Sequence, residues 1–163
     1  MKTWKGRTAD STFAVELQAS VLGVLDRYCR DAGSVETGGI LIGCYSDDLT
    51  LAIVSEATPP PTDSKQSRFW FVRGVSGLRE MLQARWRAKE RTFYIGEWHF
   101  HPVNHVEPSS EDFGQMIEIS RGREYDCKEP LLLILGASSY DGRRIFRAFV
   151  CPAEESPKEF LGR

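Results

Sequence analysis

Apolar residues recur at spacings of three and four in three stretches of the chain, the spacing that marks one face of an α-helix. The pattern predicts helices over Val15–Arg30, Val75–Lys89 and Ser109–Gly122. Gly33 lies just beyond the first stretch and is a suitable stop for it. In the third stretch, Ser109 precedes the apolar run as a capping residue does.

Between these stretches lie short runs rich in β-branched and aromatic residues, the composition of strands. Three prolines within residues 58–64 each remove a backbone donor, so this segment is expected to be a stiff surface loop. The dipeptide Asp141-Gly142 predicts a hairpin turn. The predicted strands are Gly39–Tyr45, Leu51–Ala57, Arg68–Val72, Thr92–His101, Leu131–Gly136 and Arg144–Val150.

The order of these elements predicts one α/β (α+β) domain with a mixed, mostly antiparallel sheet flanked by helices. The chain has 163 residues, close to the usual size of a single domain. Its 41% hydrophobic and 27% charged residues are typical of a globular protein. We expect the domain to span residues 1–152 and residues 153–163 to form a polar, loosely held tail.

Charge and cysteine content exclude several classes of partner and structure. The 21 Lys and Arg against 23 Asp and Glu provide no basic field for a nucleic acid backbone. No stretch is long and apolar enough for a membrane helix, and no signal peptide opens the chain. The four cysteines are scattered without a Cys-x-x-Cys pair, so we expect reduced, mostly buried thiols. A cytoplasmic protein without nucleic acid or membrane partners is expected.

All three histidines fall within seven residues, at His99, His101 and His105. In a strand, His99 and His101 project to one face about 7 Å apart and can converge on a cation. Asp112, in the first turn of the third predicted helix, would supply a third ligand. Two histidines and one carboxylate leave a fourth tetrahedral position for water, as in a catalytic zinc site. His105 could be a fourth ligand, but it lies in a loop beside Asn104 and is expected to be exposed.

Each of these signals also has a purely structural explanation. A His-x-His pair is often only a polar strand face, and Ser109 with Asp112 is the pattern of a helix capping box. The two explanations of Asp112 are compatible, because a capped first turn holds the carboxylate rigidly, as a metal ligand requires.

A water-activating site also needs a general base. Glu97 shares the strand parity of the two strand histidines, and Glu107 and Glu111 follow closely. Glu36, just before the glycine-rich run 37–43, is a fourth candidate. Spacing alone leaves these four glutamates open.

Taken together, Glu36, His99-x-His101 and, after seven residues, Ser109-x-x-Asp112 resemble the JAMM motif of the JAB1/MPN/Mov34 metalloprotease family. The similarity covers nearly the whole chain. Three flanking blocks resemble the bacterial JAB branch in particular, namely Glu36–Gly43, Pro59–Pro61 and Gly96–His99.

The resemblance implies a zinc peptidase, with one zinc ion per chain, that cleaves after the C-terminal residue of a ubiquitin-like protein. By this mapping, His99, His101 and Asp112 bind zinc. Glu36 is the general base and proton shuttle, and Ser109 hydrogen-bonds the developing oxyanion. One such donor is typically worth roughly 10²–10³ in rate, so Ser109→Ala is expected to be a strong but incomplete defect.

The resemblance also extends to substrate and partner. The proline loop and Arg68–Phe71 are similar to the segment that clasps the extended tail of the ubiquitin-like partner, which makes Pro60, Pro61, Arg68 and Phe69 substrate-binding candidates. We expect that tail to pair as an added strand. Bacterial relatives occur in CBASS-type antiphage operons, which attach a nucleotidyltransferase to a target. The implied role is deconjugation, with a CD-NTase-type nucleotidyltransferase among the conjugates.

One position departs from the family pattern. Phe100 stands where the family usually has Ser or Thr. By strand alternation this side chain faces away from the metal, so we expect a change in packing rather than in catalysis.

Two alternatives stay open at this point. A non-catalytic MPN module would bind a ubiquitin-like partner without metal, although such modules are expected to have lost the ligands that this chain retains. A cupin-like metal enzyme would use His99, His101 and Glu107, with Gly114 nearby. That family needs a distant histidine that this chain lacks, and the helical periodicities contradict an all-β barrel.

Overall fold

The computed structural model describes residues 2–140 and 143–162, so the predicted turn at Asp141-Gly142 lies outside the described residues. The elements follow in the order β1 (Trp4–Thr8), β2 (Ala14–Leu17), α1 (Ala19–Ala32), β3 (Thr37–Tyr45), β4 (Leu51–Ala57), β5 (Lys65–Gln66), β6 (Phe71–Val72), α2 (Leu78–Arg87), β7 (Phe93–Phe100), α3 (Ser110–Arg121), β8 (Leu131–Tyr140), β9 (Arg143–Val150) and β10 (Lys158–Gly162).

Eight strands close into a barrel in the order β1-β10-β9-β8-β7-β3-β4-β2, while β5 and β6 form a separate two-stranded sheet. The pairs β2–β4 and β7–β8 are parallel, and the other neighbours in the barrel are antiparallel. The predicted mixed, mostly antiparallel sheet with helices is therefore confirmed. Closure of that sheet was not predicted, because it depends on pairing between β1 and β10 at the two ends of the chain.

Three predicted elements differ from the structure. Residues 14–17 form β2, so the first helix begins at Ala19 rather than Val15. Of the predicted strand Arg68–Val72, only the last two residues pair, and they pair with β5. The tail expected to be loose contains β10, which pairs with β1 and β9 and buries Phe160. The expectation of a loosely held tail is therefore wrong for residues 158–162.

The two faces of β7 lie in different surroundings, and this positions the site. Trp98 and Phe100 belong to the main core, where Tyr28 of α1 stacks on Trp98 at 5.8 Å between ring centroids. The opposite face of the sheet carries two smaller clusters, under α2 and under α3. Phe100 is buried in the core with the Arg144 guanidinium over its ring, which agrees with the packing role expected for it.

A β-bulge at Gly96 determines which side chains of β7 face the main core and which face the opposite side of the sheet. The register with β3 shifts here, since Leu41 pairs with Gly96 and Ile42 with Tyr94. A Cβ at Gly96 would lie 2.2 Å from the Leu131 carbonyl oxygen, so only glycine fits against β8. Such a bulge inserts one residue and reverses which face the following side chains occupy. Glu97 and the histidine two residues beyond it thereby share a face with Tyr94.

Candidate metal centre

Two adjacent elements bring the predicted metal ligands together. His99 lies near the end of β7, His101 follows that strand, and Asp112 lies in the first turn of α3. One potential ligand atom from each of the three residues lies within 4.8 Å of the others. The Nδ1 atom of His99 is 2.6 Å from Oδ1 of Asp112, and Nε2 of His101 is 3.6 Å from Oδ2. His105 is exposed and outside this group.

The donor set and its burial fit a metal ion. His99 and Asp112 are buried and His101 is half-buried. Within residues 2–140 and 143–162, the buried Nε2 atom of His99 has no hydrogen-bond partner, which is rare for a buried polar atom and calls for an explanation such as an ion. Two imidazoles and one carboxylate are donors that divalent metals accept. The buried His-His-Asp group therefore fits a metal site.

Asp112 also caps α3, as the alternative explanation of the motif predicts. Its Oδ2 accepts hydrogen bonds from the Ser109 backbone N–H at 2.6 Å and the Ser109 hydroxyl at 2.8 Å. Its own N–H donates to the Ser109 hydroxyl oxygen at 3.0 Å, which completes a capping box. Burial would raise the pKa of Asp112, but the hydrogen bonds from His99 and Ser109 outweigh burial and lower it to about 2. The carboxylate is thus both oriented and charged.

Glu36 directly precedes β3, beside the end of β7 that carries His99. The register pairs Thr37 with Phe100 and Gly38 with His99. The Glu36 N–H donates to the Ser67 carbonyl at 2.7 Å, so this residue is also joined to the segment around β5 and β6. Burial raises the pKa of Glu36, the charges of Asp112 and Glu111 raise it further, and His99 opposes them. A raised pKa makes this carboxylate a stronger base than an exposed glutamate.

Gly38 allows the close packing around His99. A Cβ at this position would lie 2.4 Å from the Trp98 carbonyl oxygen, 2.7 Å from the Phe71 ring and 2.9 Å from the His99 ring. The Phe71 and His99 rings meet edge to face with centroids 5.7 Å apart. The glycine-rich run beside Glu36 therefore serves the approach of β3 to the metal-site strand.

The other candidate bases have different surroundings. Glu97 is fully buried and accepts hydrogen bonds from Arg73 Nε at 2.7 Å and the Tyr94 hydroxyl at 3.0 Å. Glu107 forms an ion pair with Arg147. Both carboxylates are committed to these partners. Glu111 is exposed in the first turn of α3.

Sequence reasoning missed Arg73, whose side chain ties the segment after β6 to β7. Besides Glu97, its guanidinium donates to the Tyr125 hydroxyl at 3.0 Å and to the Gly74 carbonyl at 2.8 Å. Its side chain is 5% exposed and that of Glu97 is 0% exposed. The buried ion pair therefore anchors the segment that carries Phe71 against His99. No spacing rule marks such a pair, because its members lie 24 positions apart.

Replacing Arg73 with methionine is expected to lower the free energy of unfolding by about 3–5 kcal/mol, because it leaves the Glu97 charge buried without a partner. Urea denaturation measures this change. The matched control is Lys5→Met, which breaks the exposed Lys5–Glu16 pair and should cost at most about 1 kcal/mol. Equal effects of the two substitutions would contradict the assigned importance of the buried pair.

The proposed substrate-binding residues lie in two environments. Pro60 is half-buried and Pro61 is buried, whereas Arg68 and Phe69 are exposed, with the Arg68 guanidinium over the Phe69 ring. As predicted, no strand forms over residues 58–64. The segment is less superficial than expected, because buried Thr58 binds the Ile40 N–H and the Trp98 indole N–H.

Residues 18–149 match the prokaryotic homologs of the JAB domain, so the chain belongs to this family. Across 148 residues it is 43% identical to the CD-NTase/cGAS isopeptidase of Enterobacter hormaechei subsp. hoffmannii, covering 89% of this chain and 79% of that protein. It is 32% identical over 141 residues to the protein of the same name from Pseudomonas aeruginosa, covering 85% and 86%. The resemblance to the JAB1/MPN family is confirmed, and the cupin alternative is wrong.

More distant matches agree with the fold. The chain is 26% identical over 117 residues to a probable metalloprotease of Sinorhizobium fredii, covering 69% of this chain and 71% of that protein. The solution structure of protein DSY2949 from Desulfitobacterium hafniense superposes with a TM-score of 0.59 at 21% identity, over 88% of this chain and 87% of that one. In the described part of the chain, no helix combines the length and hydropathy needed to cross a bilayer.

Proposed function

We propose that this protein is a zinc-dependent isopeptidase that releases a CD-NTase-type nucleotidyltransferase or a ubiquitin-like protein from its conjugates. The observation that carries the proposal is the buried His99–His101–Asp112 group next to Glu36. The identity to two proteins named CD-NTase/cGAS isopeptidase supports the substrate class. The proposed location is the cytoplasm, where a reducing environment keeps cysteine thiols reduced, as the free cysteines of this chain require.

In the proposed site, His99, His101 and Asp112 hold one zinc ion. When bound, zinc supplies a Lewis acid that polarises the scissile carbonyl and lowers the pKa of water toward 7. The hydrogen bonds from Ser109 keep the Asp112 carboxylate oriented and charged, as a metal ligand requires.

Glu36 moves the proton in the proposed reaction. Its carboxylate takes a proton from the attacking water as the oxygen bonds to the carbonyl carbon. It then gives that proton to the leaving lysine amine as the carbon–nitrogen bond breaks. The second proton of the water stays on the product carboxyl group and then passes to the amine, so the products are a carboxylate and an ammonium group, and Glu36 returns to its starting state.

Ser109 has two proposed duties that compete for one proton. Its hydroxyl hydrogen now points to Asp112, whereas stabilising an oxyanion requires the hydroxyl to donate to the substrate. The backbone N–H of Ser109 continues to bind Asp112 when the hydroxyl turns away. The capping residue can therefore serve the reaction without releasing the ligand that it orients.

The substrate tail is proposed to pair with the two-stranded sheet of β5 and β6. Barrel strands have neighbours on both sides, whereas each strand of this small sheet has a free edge in the described structure. Phe71 of β6 contacts His99, so a strand added here lies beside the metal site. Pro60, Pro61, Arg68 and Phe69 would flank the tail.

The test is cleavage of a purified conjugate in which the C-terminus of a CD-NTase is joined to a lysine of a second protein. Intact mass measurement should show both proteins released at their unmodified masses. Treatment with a chelator should abolish release, and added zinc should restore it. A protein that binds the conjugate but never cleaves it, with or without added zinc, would instead be a scaffold module, and the proposed function would be wrong.

A further inference from the structure

A groove separate from the metal centre runs between α2 and residues 124–125, which follow α3. It consists of two adjoining cavities of about 570 and 320 Å³. Leu82, Gln83, Glu124 and Tyr125 line both cavities, so the two form one continuous channel, here named the α2 groove.

One side of α2 forms the charged wall of the α2 groove. Arg79, Gln83 and Arg87 follow at spacings of four, so they lie on one side of the helix. Eight residues of helix separate the two arginines by about 12 Å. Neither guanidinium has an ion-pair or hydrogen-bond partner within residues 2–140 and 143–162, and both arginines are exposed.

The floor of the α2 groove is apolar and aromatic. Leu82, Trp86, Phe93, Tyr94 and Tyr125 line it. Trp86 is 53% exposed, although its ring meets Phe93 edge to face and lies beneath the Arg91 guanidinium, so a large aromatic surface remains open to a ligand. The groove therefore offers an apolar contact between two cationic ones.

Positive charge is concentrated in the stretch of the chain that contains α2. Residues 64–92 contain eight Lys and Arg and only two Glu, while the rest of the chain contains 13 Lys and Arg against 21 Asp and Glu. Arg73 and Arg85 of this segment are neutralised by Glu97 and Glu56. The remaining positive charge attracts an acidic partner and repels a basic one.

We propose that the α2 groove binds an extended acidic segment of a partner protein, in which two carboxylates four residues apart flank an apolar side chain. In an extended chain, positions i, i+2 and i+4 share a face, and the outer two lie about 13 Å apart. This spacing matches the distance between Arg79 and Arg87, with the apolar side chain placed over Leu82 and Trp86.

Glu124 determines which wall of the groove the acidic side chains of the partner contact. Its carboxylate lines the wall opposite α2, so acidic side chains are favoured only on the α2 side. A nucleic acid strand needs a continuous cationic track along its phosphates, whereas the α2 groove offers two separated arginines opposite the Glu124 carboxylate, which makes a nucleic acid a poorer fit than a peptide.

The α2 groove also adjoins the metal-site strand. Tyr125 of the groove receives a hydrogen bond from Arg73, which in turn binds Glu97, two residues before His99. A partner segment in the groove would therefore hold the rest of that partner near the metal centre. Binding in the α2 groove is independent of the proposed cleavage reaction.

The test is fluorescence anisotropy with a labelled peptide of about nine residues, serine throughout except for glutamates at its third and seventh positions and leucine at its fifth. The double variant Arg79→Glu, Arg87→Glu should bind at least about tenfold more weakly than the unaltered protein, because two charge-assisted contacts become repulsive. The matched control Lys2→Glu, Arg7→Glu makes the same change of charge at exposed residues near β1 and should leave binding unchanged.

Changes in the peptide test the proposal without altering the protein. Glutamines in place of the glutamates, or serine in place of the leucine, should each weaken binding. The proposal is overturned if the unaltered protein does not bind the peptide, if both double variants lose affinity equally, or if an oligothymidylate of equal charge displaces the peptide at lower concentration.

Discussion

Replacing Glu36 with glutamine is expected to lower the rate of conjugate cleavage by about 10²–10⁴-fold while the protein keeps about one zinc ion per chain. Glutamine retains the size and backbone hydrogen bond to Ser67 but cannot take a proton from water. Single-turnover cleavage and elemental analysis of the same preparation measure both quantities. Binding of the conjugate should persist, since the substitution leaves the segment around β5 and β6 intact.

The control for this substitution is Glu111→Gln, which removes an exposed carboxylate whose charge influences Glu36. It should change the cleavage rate only slightly. Cleavage at the unaltered rate by the Glu36 variant would mean that another group is the base. Glu97 would then be the next residue to substitute, although its carboxylate is already bound to Arg73 and Tyr94.

The histidine cluster offers a similarly matched comparison for metal binding. His101→Ala is expected to weaken zinc affinity by at least about 100-fold, because losing even a group that only supports a ligand typically costs 10–100-fold. His105→Ala, four positions away and outside the metal group, should keep full zinc content. Elemental analysis after dialysis, with zinc titration against a competing chelator, provides the measurement.

Loss of metal from both histidine variants would show that the loop after β7, rather than one ligand, controls binding. Retention of zinc by His101→Ala would remove this residue from the proposed site. Asp112→Ala should also lose zinc, but it additionally deletes the cap of α3, so its effect on folding must be measured alongside.

The sequence predicted the class of fold and the grouping of the three candidate metal ligands, but not the long-range strand pairing around them. Strand alternation brings His99 and His101 to one face, and the capping pattern places Asp112 in a first helical turn. Both are local rules. The Gly96 bulge, which sets the face on which Glu97 lies, became visible only through the pairing with β3 and β8.

The missed strands share a physical reason. In β1, exposed Lys5 and Arg7 alternate with buried Gly6 and Thr8, so no apolar periodicity marks the strand. Its partner β10 lies at the other end of the chain, where Phe160 is its one buried apolar residue. Such strands form because long-range pairing satisfies their backbone groups, and local propensity does not report that pairing.

Barrel closure also limits where copies of the molecule can associate through strand pairing. A free strand edge is a template for unwanted pairing and aggregation, and closed barrels remove it. Within the described structure, the free edges belong to β5 and β6, which are only two residues long, and β5 carries exposed Lys65. Short length and lysine are the means by which proteins protect such edges. The molecule thus keeps a strand edge beside its metal centre that is too short to template extended pairing between copies.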